Sequence, residues 1–207
     1  MSRACSVIIV PEDADHAAVA CGYLYERNVE PRTYHVCRKW TGKNGNFDRA
    51  RAWFIEEVRV QVRRAVKAGL IVLIDEDGQG LEARRQQLTA ELSQAGLPAL
   101  DPAQGRLLVI PVRNVETWMV WAARWQAAGG PRSPAGPLGY PTVDETHDYK
   151  RWLTRGRGRI PPERRLAPFD LGRAIGRLNP AQPPRGLPPA LEAILRPWSD
   201  FLAWVRQ

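Results

Sequence analysis

The chain has 207 residues, 44% of them hydrophobic, and 30 Lys/Arg against 22 Asp/Glu give a formal net charge of +8. That is enough chain to bury a real core in one domain plus an appendage. No stretch is apolar for long enough to span a bilayer and no signal-peptide core precedes Glu12, which predicts a soluble, cytoplasmic protein. Cys5, Cys21 and Cys37 are widely spaced with no C-x-x-C, which points to reduced, buried thiols and not to disulfides or zinc ligands.

In chain order, Ser6-Val7-Ile8-Ile9-Val10 is a short apolar strand followed by Pro11-Glu12-Asp13-Ala14-Asp15. Ala17 to Tyr25 reads as a helix with Asp13 or Asp15 as its N-cap. His16 lies close to Glu12 and could support it from behind, but with no metal-ligand spacing to His35 or His147 it reads more readily as a surface or helix-start residue. Arg32 to Cys37 is a second strand, and a loop with Gly42, Lys43 and Gly45 follows, in which backbone and ammonium could approach a phosphate. Asp48 to Lys67 is a long amphipathic helix, with Gly69 expected to end it.

Ile71-Val72-Leu73-Ile74 then runs straight into Asp75-Glu76-Asp77-Gly78-Gln79-Gly80. An uncharged β-favouring run reads as a strand buried on both faces of a parallel sheet. Its acids would emerge at the carboxyl edge, where open α/β sheets bind ligands. In extended chain Asp75 and Asp77 would point the same way, and converging carboxylates repel unless a cation such as Mg²⁺ lies between them. Other readings compete. A Walker B strand needs a P-loop, but the only Gly-Lys, Gly42-Lys43, is followed by Asn44. An EF-hand loop from Asp75 would place Gln79 and Gln86 at ligand positions. A dehalogenase-like D-x-D belongs on a first strand. The plain alternative is a solvated acidic turn capping the next helix.

That helix runs from about Leu81 to Gln94, and the strand Leu107 to Val112 leads through Arg113-Asn114-Val115 to Glu116 and an apolar helix beginning at Trp118. Alternation of this kind predicts a mostly parallel sheet with helices on both faces. Three strands that each end in a carboxylate are more than core packing requires.

Glu12 after the first strand, Asp75-x-Asp77 after a central one and Val115-Glu116-Thr117-Trp118 after a later one together resemble a TOPRIM domain. TOPRIM is the metal-binding, Rossmann-like fold of topoisomerases, primases and OLD-family nucleases. The likeness is nearest to small stand-alone TOPRIM-like proteins, and its segments are residues 11–25, 42–47, 70–88 and 112–122 within roughly residues 1–127. One departure stands out: Asp13 occupies the place where a glycine usually follows the TOPRIM glutamate. The resemblance implies a metal-dependent phosphodiester nuclease. Glu12, Asp75 and Asp77 would be ligands of Mg²⁺ or Mn²⁺, with Glu12 alternatively the base that positions water. Glu116 would be a supporting catalytic residue. It also implies an ABC- or AAA-type ATPase partner in an anti-phage or repair complex. Tyr23 and Tyr25 have apolar neighbours and read as packing, which speaks against covalent topoisomerase chemistry, and the chain is short for a primase.

Residues 129–141 hold four glycines and four prolines and read as a linker between a TOPRIM-like domain over 1–128 and a basic, mainly helical extension over 142–207. Residues 129–207 carry 13 Lys/Arg against 7 Asp/Glu. Lys150, Arg151, Arg155, Arg157, Arg159, Arg164 and Arg165, with Trp152 among them, have the composition of a nucleic-acid-binding arm; Lys43 is a further candidate contact. Only four of the 30 basic residues are lysine, so arginine enrichment throughout the chain is the competing explanation. Ala190 to Val205 is the best helix of the extension, interrupted near Pro197, with Leu191, Ile194, Leu195, Trp198, Leu202 and Val205 forming a stripe that reads as docked core. The rival functional reading is a non-catalytic module that binds nucleic acid or an ATPase.

Overall fold

The computed structural model describes residues 6–37, 47–64, 67–127 and 166–207. The linker over 129–141, the arginine-rich segment and Lys43 all lie outside them. Four strands, β1 (Ser6–Pro11), β2 (Tyr34–Val36), β3 (Ala68–Leu73) and β4 (Arg106–Val109), form one sheet in the order β2-β1-β3-β4. Every pairing is parallel. The described helices are α1 (Ala14–Glu26), α2 (Phe47–Arg64), α3 (Leu81–Gln94), α4 (Val115–Ala127), α5 (Pro168–Gly176) and α6 (Pro189–Val205). The chain is therefore an α/β protein with an all-parallel sheet.

Strand β3 shows why its sequence has no charge. All six residues are buried, and the two-residue period divides them between two cores. Leu70, Val72 and Ile74 join Phe54 and Val58 of α2 and Leu88 and Leu92 of α3. Ile71 and Leu73 join α1, α4, α5 and α6 on the other face. Helices thus cover both faces, as a parallel sheet requires.

Two sequence expectations need correction. Gly69 does not end α2; it is the second residue of β3. A side chain there would come within 2.8 Å of the Phe201 ring, so the missing Cβ seats α6 against the sheet. Nor does Pro197 interrupt α6, which runs through it. Proline removes one backbone bond, but Leu191, Ile194 and Leu195 before it and Trp198, Phe201 and Leu202 after it are all buried. Their burial holds both halves in line. The apolar stripe read from the sequence is in the same core as the sheet, with Val205 packed against it.

Helices α1 and α5 form the most extensive inter-element contact among the described residues. A Cβ on Gly22 would lie 2.0 Å from the Phe169 carbonyl oxygen, and one on Gly172 would lie 2.0 Å from that of Val19. The helices therefore touch backbone to backbone. Glu26 of α1 adds ion pairs to Arg173 and Arg177 at 2.9 Å, and those partners, Arg177 first, hold its carboxyl below the usual range. Tyr23 meets the Trp198 ring at a centroid distance of 3.9 Å. Cys21 and Cys37 form no disulfide among the described residues, and both are half-buried where the sequence predicts full burial. Among the described residues no helix is long and apolar enough to cross a membrane.

The helix contact gives a test whose sign is decided by magnitude. In an exposed helix Gly→Ala gains about 1 kcal/mol of propensity. At Gly172 the added methyl meets immovable backbone, and overpacking costs roughly 1–3 kcal/mol or more. Gly172→Ala should lower the urea midpoint; an unchanged or raised midpoint would mean the helices do not pack this closely.

Candidate functional site

Strand order decides where the site can be. From β1 the chain moves outward to β2, then returns past β1 to β3 and on to β4. The direction reverses between β1 and β3, and such a switch leaves a crevice beyond the carboxyl ends of the two strands. Glu12 and Asp75 stand at that crevice. The pairing of β1 with β3 ends at Pro11 and Leu73, and the Glu12 amide donates to the Leu73 carbonyl at 2.8 Å, carrying the ladder one residue further. The Glu12 side chain then crosses to β3, where its Oε2 accepts from the Asp75 amide at 2.8 Å. Glu12 is 6% exposed and Asp75 3%.

His16 is the third member, and it is not a surface residue. It sits in the first turn of α1 and is completely buried. Its Nδ1 lies 2.7 Å from Asp13 Oδ1 and its Nε2 lies 2.9 Å from Asp75 Oδ1. With a carboxylate oxygen at each nitrogen, both nitrogens act as donors and the ring is an imidazolium. Burial alone would push its pKa down, but the charge of Asp75 and the bonds to Asp13 and Asp75 outweigh burial and hold it well above the ordinary value. Asp13 answers in the opposite sense. Burial would raise its pKa, yet the His16 hydrogen bond and charge bring it to about 2.

Asp13 is also the N-cap of α1, accepting from the amides of Asp15 and His16 at 2.9 and 3.0 Å. Its φ of −145° is extended backbone that any residue adopts, so the position makes no demand for glycine.

The acids after β3 have separate roles. The strand stops at Leu73 and the chain turns at Asp77, whose φ of +53° is left-handed, so the extended alternation expected for Asp75 and Asp77 does not apply. Asp75 turns inward. Its Oδ1 accepts from the Val115 amide at 3.1 Å as well as facing His16. Glu76 is a staple. Its carboxylate accepts from the amides of Gly78 at 3.0 Å, Gly80, and Arg113 at 3.2 Å. Burial would raise its pKa, but these backbone donors bring it below the usual value. The loop after β3 is thereby tied to the loop after β4. Asp77 is half exposed and pairs with Arg84 at 3.5 Å. Arg84 also lies over the Phe47 ring at 3.7 Å and donates through Nε to the Glu76 carbonyl.

Of the four expected site carboxylates, Glu12 and Asp75 come together. Asp77 is near enough for its charge to act on Glu12. Glu116 is half-buried in the first turn of α4, next to the Val115 amide that holds Asp75. Among the described residues no group of three or more His, Cys, Asp or Glu is set to hold a metal ion. Two oxygens are nevertheless uncommitted: Glu12 Oε1 and Asp75 Oδ2 take no hydrogen bond among the described residues. A two-carboxylate donor set fits Mg²⁺, which keeps several waters and takes its other ligands from substrate phosphates. The contacts that sequence reasoning missed are Asp13–His16–Asp75 and the Glu76 staple. The D-x-x-H spacing at the start of α1 was a signal for the first; the second depends on a loop from another strand.

Comparison of the chain with protein-family models, with curated proteins and with solved structures gives no match.

Burial, reinforced by the charges of Asp75 and Asp77 and opposed by the Asp75 amide and His16, pushes the Glu12 carboxyl up to about 7 from an ordinary 4.5. A raised carboxyl pKa means the fold favours the protonated form. Its contribution is fully present below pH 4.5 and is lost as pH rises through 7. His16, also raised, works in the same direction above its ordinary range. Asp13 works in the opposite direction but only at low pH, since its contribution is lost as pH falls from 3.8 through 2. Metal-free protein should therefore melt lower at pH 8 than at pH 5. Glu12→Gln keeps an acceptor for the Asp75 amide without the charge, so it should raise stability at pH 8 by roughly 2–3 kcal/mol and leave pH 4 unchanged. Equal effects at both pH values would show that Glu12 carries no buried charge.

Proposed function

We propose that the chain is a divalent-metal-dependent phosphodiester nuclease of TOPRIM-like type, with its centre at Glu12 and Asp75. The observation that supports this most is their side-by-side placement at the switch between β1 and β3, with one uncommitted oxygen each. Solvated acids capping a helix would have no reason to be buried against each other. Asp75 Oδ2 and Glu12 Oε1 would hold Mg²⁺ or Mn²⁺. The bound ion would offset charge on a phosphoryl oxygen and make bound water more acidic. In the alternative role, with the ion held from Asp75 and Glu12 Oε1 left off it, the Glu12 carboxyl, near neutrality in the metal-free protein, would take the proton of the attacking water. Water oxygen attacks phosphorus, the P–O bond to the leaving nucleotide breaks, and that oxygen takes up a proton. Asp77, half exposed on the same loop, would have to release Arg84 to join. The arginines from Arg151 to Arg165, with Lys43 and Lys150, would follow the phosphate backbone of DNA or RNA, and an ATPase partner would couple cleavage to its own cycle.

The second reading, a non-catalytic nucleic-acid- or ATPase-binding module, draws on the Asp77–Arg84 pair and on the lack of a ready three-ligand group among the described residues.

Two measurements separate them. Mn²⁺ at one hundred times its Kd should stabilise the fold by about 2.7 kcal/mol, and Glu12→Gln and Asp75→Asn should abolish the rise relative to their own metal-free forms. With Mn²⁺ and any partner ATPase, wild type should cut DNA or RNA. Asp77→Asn, which tolerates the left-handed backbone, should bind as wild type does and cut at least tenfold more slowly. Cleavage by Asp77→Asn at the wild-type rate would remove Asp77 from the site. Binding without cleavage by wild type under any divalent ion would replace the nuclease with the module.

A further inference from the structure

We propose that His16 is a resident counter-cation of the crevice, a positioning residue that fixes Asp75 and limits the site to one loosely held divalent ion; the inference rests on the phosphodiester reading above. The ring lies between two carboxylates, with Nδ1 2.7 Å from Asp13 Oδ1 and Nε2 2.9 Å from Asp75 Oδ1. No solvent reaches it to compete for these bonds, since its side chain is 0% exposed. Each partner is fixed from behind. Asp13 is held by the amides of Asp15 and His16 at the start of α1, and Asp75 Oδ1 also takes the Val115 amide at the start of α4. A glycine in place of Asp13 would offer no carboxylate to Nδ1. The departure from the TOPRIM pattern at residue 13 and the buried histidine therefore belong together.

The supply of oxygens sets the number of ions. Two-ion centres hold their metals about 3.5–4 Å apart, close enough that a carboxylate bridging through both oxygens is the usual tie. Asp75 cannot bridge in this way, because His16 and the Val115 amide fill both lone pairs of Oδ1. Glu12 keeps Oε2 on the Asp75 amide, Glu76 is taken up by three backbone amides, and Asp77 pairs with Arg84. One oxygen of Glu12 and one of Asp75 suit a single ion. Charge then sets its affinity. An ion on Asp75 Oδ2 shares a carboxylate with an imidazolium on Oδ1, and like charges a few ångströms apart oppose each other by roughly tenfold or more in affinity. The same imidazolium leaves one net negative charge fewer at these acids for an anionic substrate to meet.

The test measures Mn²⁺ binding by calorimetry at neutral pH on wild type, His16→Gln and Asp75→Asn. Glutamine is close to histidine in size and can donate to Asp75 without a charge. Wild type should bind one ion and Asp75→Asn none. His16→Gln should bind at least roughly tenfold more tightly, or take a second ion. A further measurement needs no variant and decides the matter even if His16→Gln does not fold. In wild type loaded with Mg²⁺, nitrogen NMR should find both ring nitrogens of His16 still protonated; loss of either proton on loading would overturn the resident cation. If wild type takes two ions, or His16→Gln binds one ion no more tightly, while Asp75→Asn binds none, the metal centre stands and the His16 inference is overturned. If His16→Gln binds an ion and wild type does not, the resident cation is upheld and the nuclease reading gives way to the binding module. If neither binds, or Asp75→Asn binds as wild type does, both fall.

Discussion

The parallel pairing of β1 with β3 is the constraint on which the site depends. Six residues of each strand stay in register, from Ser6 with Ala68 to Pro11 with Leu73. Both strands are central, so neither can slip without moving its apolar side chains out of two cores at once. Because register is held, the first residue beyond β1 and the second beyond β3 arrive side by side. Glu12 then bonds to the Asp75 amide. A slip of one residue would put Asp13 in that place and leave His16 without its partner.

The cluster at the strand ends shows how a fold tolerates buried acids. Carboxylates this close in a dry site would be costly unless countered. The protein counters part of the charge with its own cation: His16, in the first turn of α1, lies between Asp13 and Asp75 and offsets one of their two charges. Glu12 is left as the carboxylate that burial penalises, which is why its pKa rises while that of Asp13 falls. Glu76 is stabilised mainly by three backbone amides, with the Arg113 charge adding to them. Of the consecutive acids Asp75, Glu76 and Asp77, the first faces the buried imidazolium, the second staples two loops, and the third meets solvent and Arg84.

The C-terminal helices are part of this arrangement. Glycines at 22 and 172 let α5 lie against α1 backbone to backbone, and Gly69 admits the Phe201 ring against β3. Trp121 of α4 donates to the Gly186 carbonyl before α6 at 3.0 Å. Helices α1 and α4, which carry His16 and the Val115 amide to the site, are thus both buttressed by the chain beyond residue 166. Rigidity at the strand ends is drawn from contacts on the far side of the same helices.

Much of this was legible in the sequence because it depends on local periodicity. An uncharged run such as Leu70 to Ile74 reads as a strand buried on both faces, Asp13 or Asp15 before an apolar helix marks an N-cap, which the structure gives to Asp13, and Leu81 to Gln94 needed no tertiary information to be bounded. Strand ends rich in acid pointed to the carboxyl edge of the sheet, where Glu12 and Asp75 meet. What the sequence could not decide was which groups face each other across long chain separations. His16 reads as a surface residue until β3 brings Asp75 to its ring from 59 residues away. Glu76 reads as one acid among three until the loop after β4 lends it the Arg113 amide. Gly69 reads as a helix stop until Phe201 is placed upon it. Each turns on a contact that only the folded sheet creates, and residue type and spacing carry no record of the partner.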